Sequence, residues 1–207
     1  MAAARAQSAG VELDPRVERS RRVILEAVLE ELGEAGYGAF SIEGVAARAG
    51  VGKSTIYRHW DGKYELVVDA IQTLKASATV PSDGTVRERV TSYLEQAAMM
   101  LADSTYSTCM PALIDAAERD PKMKEFHNRF AGERRGVLVD LLQSGVDSGE
   151  LPASADPELL ADALVGSIVL RRLMMPRPCD PSMVPRLVDQ ILPPAPAPAK
   201  PTSSRKR

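Results

Sequence analysis

At 207 residues, 44% of them hydrophobic and 26% charged, the chain can hold one large folded domain or a small domain joined to a medium one. A net charge of −2 gives no bulk sign of a nucleic-acid partner, and two distant cysteines, Cys109 and Cys179, argue against a disulfide framework or a zinc site. No apolar run reaches membrane-spanning length and MAAARAQSAG lacks the apolar centre of a signal peptide, so the expectation is a cytoplasmic chain with reduced thiols.

Aromatics make up only 4% of the residues, and long runs of Glu, Arg, Ala and Leu favour helices over strands. Residues 1–13 have no periodicity and read as a mobile tail. Asp14-Pro15 then marks a helix start, because Asp caps free N–H groups and Pro fits a first helical position that needs no N–H bond. The same pair recurs at 120–121, 156–157 and 180–181, each time before an amphipathic stretch.

The first helix is predicted over 16–35, with Ile24, Ala27, Val28 and Leu32 on one face and Gly36 as its stop. A second starts at Ser41, whose hydroxyl can cap the first turn while Phe40 and Val45 form a hydrophobic staple, and ends at Gly50. A third covers 53–59, and Asp61-Gly62 opens a fourth with Leu66, Val67, Ala70, Ile71 and Leu74 facing inward. Pro81-Ser82-Asp83-Gly84 breaks the pattern, and a domain boundary near residue 78 follows.

A fifth helix carries Val86, Val90, Tyr93, Leu94, Ala97 and Leu101. A shorter sixth carries Met110, Leu113, Ile114 and Ala117, with Pro111 starting or bending it. The seventh runs from Pro121 to about Gly149, the eighth over about 157–173 and the ninth over about 182–192. From Pro193 a Pro/Ala-rich and then basic tail, 193–207, is expected to be extended. The fold class is all-α, with about nine helices in domains at 14–78 and 79–192.

Residues 41–63 concentrate the informative chemistry. Their GVGKST suggests a nucleotide-binding loop, but the first glycine of such a loop would fall at Ala47, and IEGVAARA before it is helical rather than a buried strand. Leu66-Val67-Val68-Asp69 imitates a magnesium-holding strand but continues a helical period. A two-helix corner fits instead: Ala46 permits a close crossing, Gly50 can take the positive φ of a sharp turn, and Ile56 returns an apolar side chain to the hinge. Arg48, Lys53, Arg58 and Lys63 outnumber Glu43 and Asp61 there, a small basic face on an otherwise acidic body. Chemically, Lys53 can donate to guanine O6 and N7, and Ser54 and Thr55 can bond base edges and touch thymine methyls. Glu43 can accept from cytosine N4 or favour the helix dipole, the second being preferred. Trp60 reads as a core aromatic, Tyr57 less so, and Arg58 as a solvated charge or a phosphate contact.

Residues 16–76, above all SIEGVAARAGVGKSTIYRHWDGKYELV, resemble the DNA-binding domain of the TetR/AcrR family of transcriptional regulators. GELPASADPELLADALVGSIVLRRL more loosely resembles the ligand-binding and dimerisation domain of one TetR subgroup. The resemblance implies that Thr55, Tyr57, His59 and Lys63 grip phosphates or sugar edges and that Lys53 and Ser54 reach base edges, with Ser41 completing the DNA-binding set. It departs at Gly52, where the family often has a capping Ser, so a hydroxyl that could touch phosphate is missing.

The resemblance also implies a small-molecule pocket within helices 5 to 7 and a dimer interface on helices 8 and 9. Pocket candidates are Tyr93, Met99, Met100, Tyr106, Met110, Phe126 and Phe130, against the plainer reading that they are core. Leu160, Ala163, Leu164, Ser167 and Ile168, with Val184, Leu187, Val188 and Ile191, form stripes suited to a four-helix bundle across a two-fold axis, or to finishing a monomer core. His127 has no Ser or Cys partner at an interpretable spacing, so an enzyme ranks below a helical ligand-binding or scaffold protein that does not use its corner. The expected protein is a homodimeric repressor with no cofactor or metal, bound to double-stranded operator DNA of pseudo-palindromic sequence and released by an unknown effector.

Overall fold

A computed structural model of the chain describes residues 15–74, 79–102, 104–175 and 179–194. Among them every regular element is a helix, and the chain divides into two compact units between Thr73 and Leu74. The tail expected at 1–13, the cap Asp14 and nearly all of the tail expected from Pro193 lie outside the described residues.

The first unit holds α1 (Pro15–Ala39), α2 (Ile42–Ala49), α3 (Lys53–Tyr57) and α4 (Lys63–Thr73). Gly36 interrupts α1 with φ +72° and ψ 165°, so the regular helix stops where glycine relieves the left-handed backbone, and a separate turn carries the chain to Phe40. Ile24, Val28 and Leu32 from α1, Val45 from α2, Ile56 from α3 and Leu66, Val67 and Ile71 from α4 are all fully buried. Each such side chain stabilises the unit by about 1.5–3 kcal/mol relative to exposure. Asp69 adds a polar tie: it accepts from Arg21 of α1 at 2.5 Å and from the indole N–H of Trp60 at 2.7 Å.

The second unit holds α5 (Val86–Ala102), α6 (Thr105–Arg119), α7 (Pro121–Ser148), α8 (Pro157–Met174), a single 3-10 turn (Pro181–Met183) and α9 (Val184–Ile191). α5 packs against α6, α7, α8 and α9, and Val90, Leu94 and Ala98 on it are fully buried. Three of the Asp-Pro starts are described, and all three cap. Asp120 accepts from the N–H groups of Lys122 and Met123, Asp156 from those of Glu158 and Leu159, and Asp180 from that of Ser182.

Pro111 does not start α6. That helix begins six residues earlier, capped by Ser104, and carries Pro111 in its interior. Proline has no N–H, so the carbonyl of Ser107, four residues back, loses its helical partner. Arg172 of α8 fills the position by donating from Nη2 at 2.8 Å.

Candidate nucleic-acid interface and effector site

The corner between α2 and α3 is built from local signals. The Ser41 hydroxyl accepts from the N–H of Gly44 at 3.0 Å, and Phe40 and Val45 are both buried beside it. At the other end Gly50 takes φ +65°, ψ 31°, while the N–H of Val51 reaches the carbonyl of Ala46 at 3.0 Å. This is the paired closure that needs a left-handed residue after the last turn. Ala46 and Ile56 are buried at the hinge. α3 is shorter than predicted: Arg58 and His59 fall in a tightened turn, with the N–H groups of His59 and Trp60 both reaching the carbonyl of Ile56.

That short helix is anchored underneath and open above. Ile56 and Trp60 are buried, whereas Lys53, Ser54, Tyr57, Arg58 and His59 are exposed, Tyr57 to 53%. Thr55 is half-buried. A series of polar side chains is therefore presented from a segment whose backbone is fixed by the core.

Charge on this face is less free than the sequence suggests. Nζ of Lys53 lies 2.8 Å from a carboxylate oxygen of Glu43 across the corner. The hydrogen bond and the opposite charge hold the Glu43 carboxyl below its ordinary range and the Lys53 ammonium above its own. Arg48 points back to α1, where Glu34 at 2.6 Å, Glu31 at 3.3 Å and Glu30 at 3.6 Å surround it. Lys63 donates to the carbonyl of Tyr37 and lies 4.1 Å from the centre of that residue's ring.

Of the seven side chains expected at DNA, Lys53, Ser54, Tyr57 and His59 are exposed along α3 and the turn after it. Thr55 stands at the edge, and Ser41 and Lys63 are half-buried with protein partners. The Lys53–Glu43 pair escapes sequence reading because ten residues and a turn separate its members; only the crossing of α2 and α3 brings them together.

In the second unit the aromatic pocket candidates gather around Arg134 of α7. Its guanidinium carbon lies 4.9 Å from the Tyr106 ring centre and 5.3 Å from that of Phe130. Nη2 of Arg134 donates to the Met100 sulfur at 3.0 Å, and its backbone carbonyl accepts from the Tyr93 hydroxyl at 2.7 Å. Phe126 and Phe130 pack with ring centres 5.7 Å apart. Tyr93, Phe126 and Phe130 are buried, Met100, Tyr106 and Met110 are half-buried, and Met99 points outward. Arg134 itself was not among the sequence candidates, since α7 is dense in charge and nothing in its spacing sets this arginine apart from Arg135.

Much of the stripe expected at a subunit interface lies in or against the chain's own core. Leu164, Ile168, Val184 and Val188 are buried in the chain's own core, and Leu160, Leu187 and Ile191 pack against that core while half-buried. Ala163 is exposed and Ser167 half-exposed, its hydroxyl donating to the Ala163 carbonyl. The side of α8 left open is rotated from the expected one: Leu159 is 66% exposed, Leu170 46% and Met174 74%, with Ala163 and Gly166 between them. A groove of about 1030 Å³ runs along α8 and α9 beside it, lined by Leu170, Arg171, Met175, Met183, Arg186 and Leu187 among others.

Residues 24–70 match the family model for bacterial regulatory proteins of the tetR family, and residues 80–191 match that for the tetracyclin repressor-like C-terminal domain. The chain is 32% identical over 162 residues to the uncharacterized HTH-type transcriptional regulator YdeS of Bacillus subtilis, covering 77% of this chain and 81% of the relative. It is 31% identical over 183 residues to the DNA-binding transcriptional repressor TetR of Mycobacteroides abscessus, covering 86% and 94%. In fold it is similar to the transcriptional regulator FadR of Bacillus subtilis in complex with stearoyl-CoA, with a TM-score of 0.68 at 17% identity over 83% of this chain and 97% of that one.

Proposed function

The chain belongs to the TetR family and is a DNA-binding transcriptional regulator, and from that premise we propose that it is a cytoplasmic, homodimeric repressor released from a palindromic operator by a small-molecule effector. Residues 14–78 are then the DNA-binding domain and residues 79–192 the ligand-binding and dimerisation domain.

The observation that carries this reading is the exposed series on α3, held in place by buried Ile56 and Trp60. Lys53 and Ser54 stand at the helix N-terminus and reach base edges in the major groove, where lysine donates to guanine and a serine hydroxyl both donates and accepts. Thr55, Tyr57 and His59 take phosphate and sugar oxygens. The start of α4 supplies backbone N–H groups to a further phosphate, with Lys63 beside it. Two copies of this face, about 34–36 Å apart across a two-fold axis, meet successive turns of one side of the duplex.

The open side of α8 supports the two-fold. Leu159, Ala163, Gly166, Leu170 and Met174 combine large apolar and small side chains, and a second copy would complete a four-helix bundle by burying them. The aromatic cluster around Arg134 is the effector site in this reading. An effector acts only by binding the DNA-incompetent arrangement of the dimer more tightly than the competent one.

The test is a gel-shift of the full chain against DNA upstream of its own gene, at low and at physiological salt. A shifted band that survives competition by unrelated DNA is expected. No shift at low salt would favour a helical ligand-binding protein that does not use its corner.

A further inference from the structure

Arg134 and Arg135 are consecutive on α7, yet their surroundings are opposite. Arg135 is paired with Glu158 and Asp162, each at 2.6 Å. Arg134 is half-buried over two adjacent aromatic rings, and among the described residues no carboxylate pairs with it. A guanidinium carries five N–H donors. Among the described residues only one of these, on Nη2, has an acceptor, the sulfur of Met100, which is a weak one. Cation–π attraction offsets part of the cost of desolvating the charge, but burying a charge is ordinarily accompanied by an opposite charge.

The cluster is also reachable. Tyr106, Met100 and Arg134 are half-buried, whereas Tyr93, Phe126 and Phe130 behind them are closed off. Tyr93 fixes this turn of α7 by donating to the Arg134 carbonyl, so the guanidinium projects from a held backbone. The cluster thus offers a planar donor fork, the half-buried Tyr106 ring beside it and a flexible thioether that can move aside.

We propose that the effector is a carboxylate on a flat apolar body. The carboxylate replaces the Met100 sulfur as the partner of Arg134, and the body lies against the half-buried ring of Tyr106. This inference rests on the reading of the α5–α7 cluster as the effector site. The carboxylate's geometry matches two parallel N–H donors of the guanidinium, a match that an alcohol, an amide or an amine of the same shape does not make.

The experiment is calorimetric titration of the full chain with naphthoate and, separately, with naphthalenemethanol, its uncharged counterpart. Wild-type protein is expected to bind naphthoate at least tenfold more tightly than the alcohol, a comparison that needs no variant. Arg134→Met, which keeps the apolar stem, should abolish that preference by weakening naphthoate alone; Arg134→Lys should retain part of it. Tyr106→Ala should weaken both compounds. Equal binding of the two compounds by wild-type protein, both weakened by Tyr106→Ala, would overturn the carboxylate assignment while leaving the site in place. Naphthoate binding that neither Arg134→Met nor Tyr106→Ala changes would overturn the site itself. Absence of naphthoate binding at millimolar concentration would overturn the assignment of a flat apolar carboxylate.

Discussion

Arg172 donates from Nη2 to the carbonyl oxygen of Ser107 at 2.8 Å, the oxygen that Pro111 leaves without its helical partner. Its Nε donates to the hydroxyl of the same serine, which is itself buried and donates onward to the carbonyl of Leu101. A proline in α6 and an arginine in α8 are therefore parts of one solution. Residues far apart in sequence close a backbone gap that a local reading would count as a defect.

Arg172→Met should lower the unfolding free energy by about 1–3 kcal/mol, the cost of leaving a buried acceptor unmet. In a Pro111→Ala background α6 recovers its own N–H donor at that carbonyl, so the same arginine change should cost less. Urea unfolding of the four proteins checks this, because residues sharing one acceptor give non-additive changes. Strict additivity would separate Pro111 from Arg172.

Glu43→Gln should strengthen binding to non-operator DNA severalfold at low salt and steepen the salt dependence by about one ion, because it frees the Lys53 ammonium 2.8 Å away. The carboxyl of Glu43 is held below its ordinary range, first by the hydrogen bond from Lys53. A depressed carboxylate keeps its pair above the unfolded pKa and loses it as pH falls through the folded one. The pair is thus intact at neutral pH, and wild-type affinity should show no step there. A titration by fluorescence anisotropy with unchanged slope in the variant would remove Lys53 from the DNA face.

What could be read from the residues alone follows the range of the interaction involved. Gly50, the Ser41 cap and the aspartates at 120, 156 and 180 act within a few residues, so both the corner and the helix starts were legible. Arg48 and Lys63 counted toward the basic face, but their partners, the glutamates of α1 and the carbonyl of Tyr37, approach only after the helices pack. On α8 the spacing leaves the phase open. Apolar residues recur at helical spacing on more than one side, and spacing does not say which side meets the chain's own α5. Leu164 and Ile168 do, and Leu159, Leu170 and Met174 do not.

Leu170→Glu with Met174→Lys should therefore convert a dimer to a folded monomer, since both side chains are exposed within one chain and neither belongs to its core. Leu164→Ala should act differently, lowering stability by about 2–5 kcal/mol through loss of a buried side chain in the core. Sedimentation velocity together with thermal unfolding separates these outcomes. A dimer that survives the double charge change would move the two-fold away from the open side of α8.

Tyr57→Ala and Lys63→Ala should both weaken operator binding, but by different routes. Tyr57 is 53% exposed on α3, so its loss should reduce affinity roughly tenfold, the worth of about one good contact, while thermal stability stays within about 0.5 kcal/mol of wild type. Lys63 donates to the Tyr37 carbonyl and rests over that ring, so its removal also loosens the turn between Gly36 and Phe40. Lys63→Ala should therefore lower both the melting temperature and the affinity, with the salt slope reduced by about one if its charge reaches phosphate. Lys63→Met separates the two contributions by keeping the apolar stem over the ring while removing the charge. A salt slope equal to wild type in Lys63→Met would make Lys63 a support for the turn and leave the phosphate contact to the backbone at the start of α4.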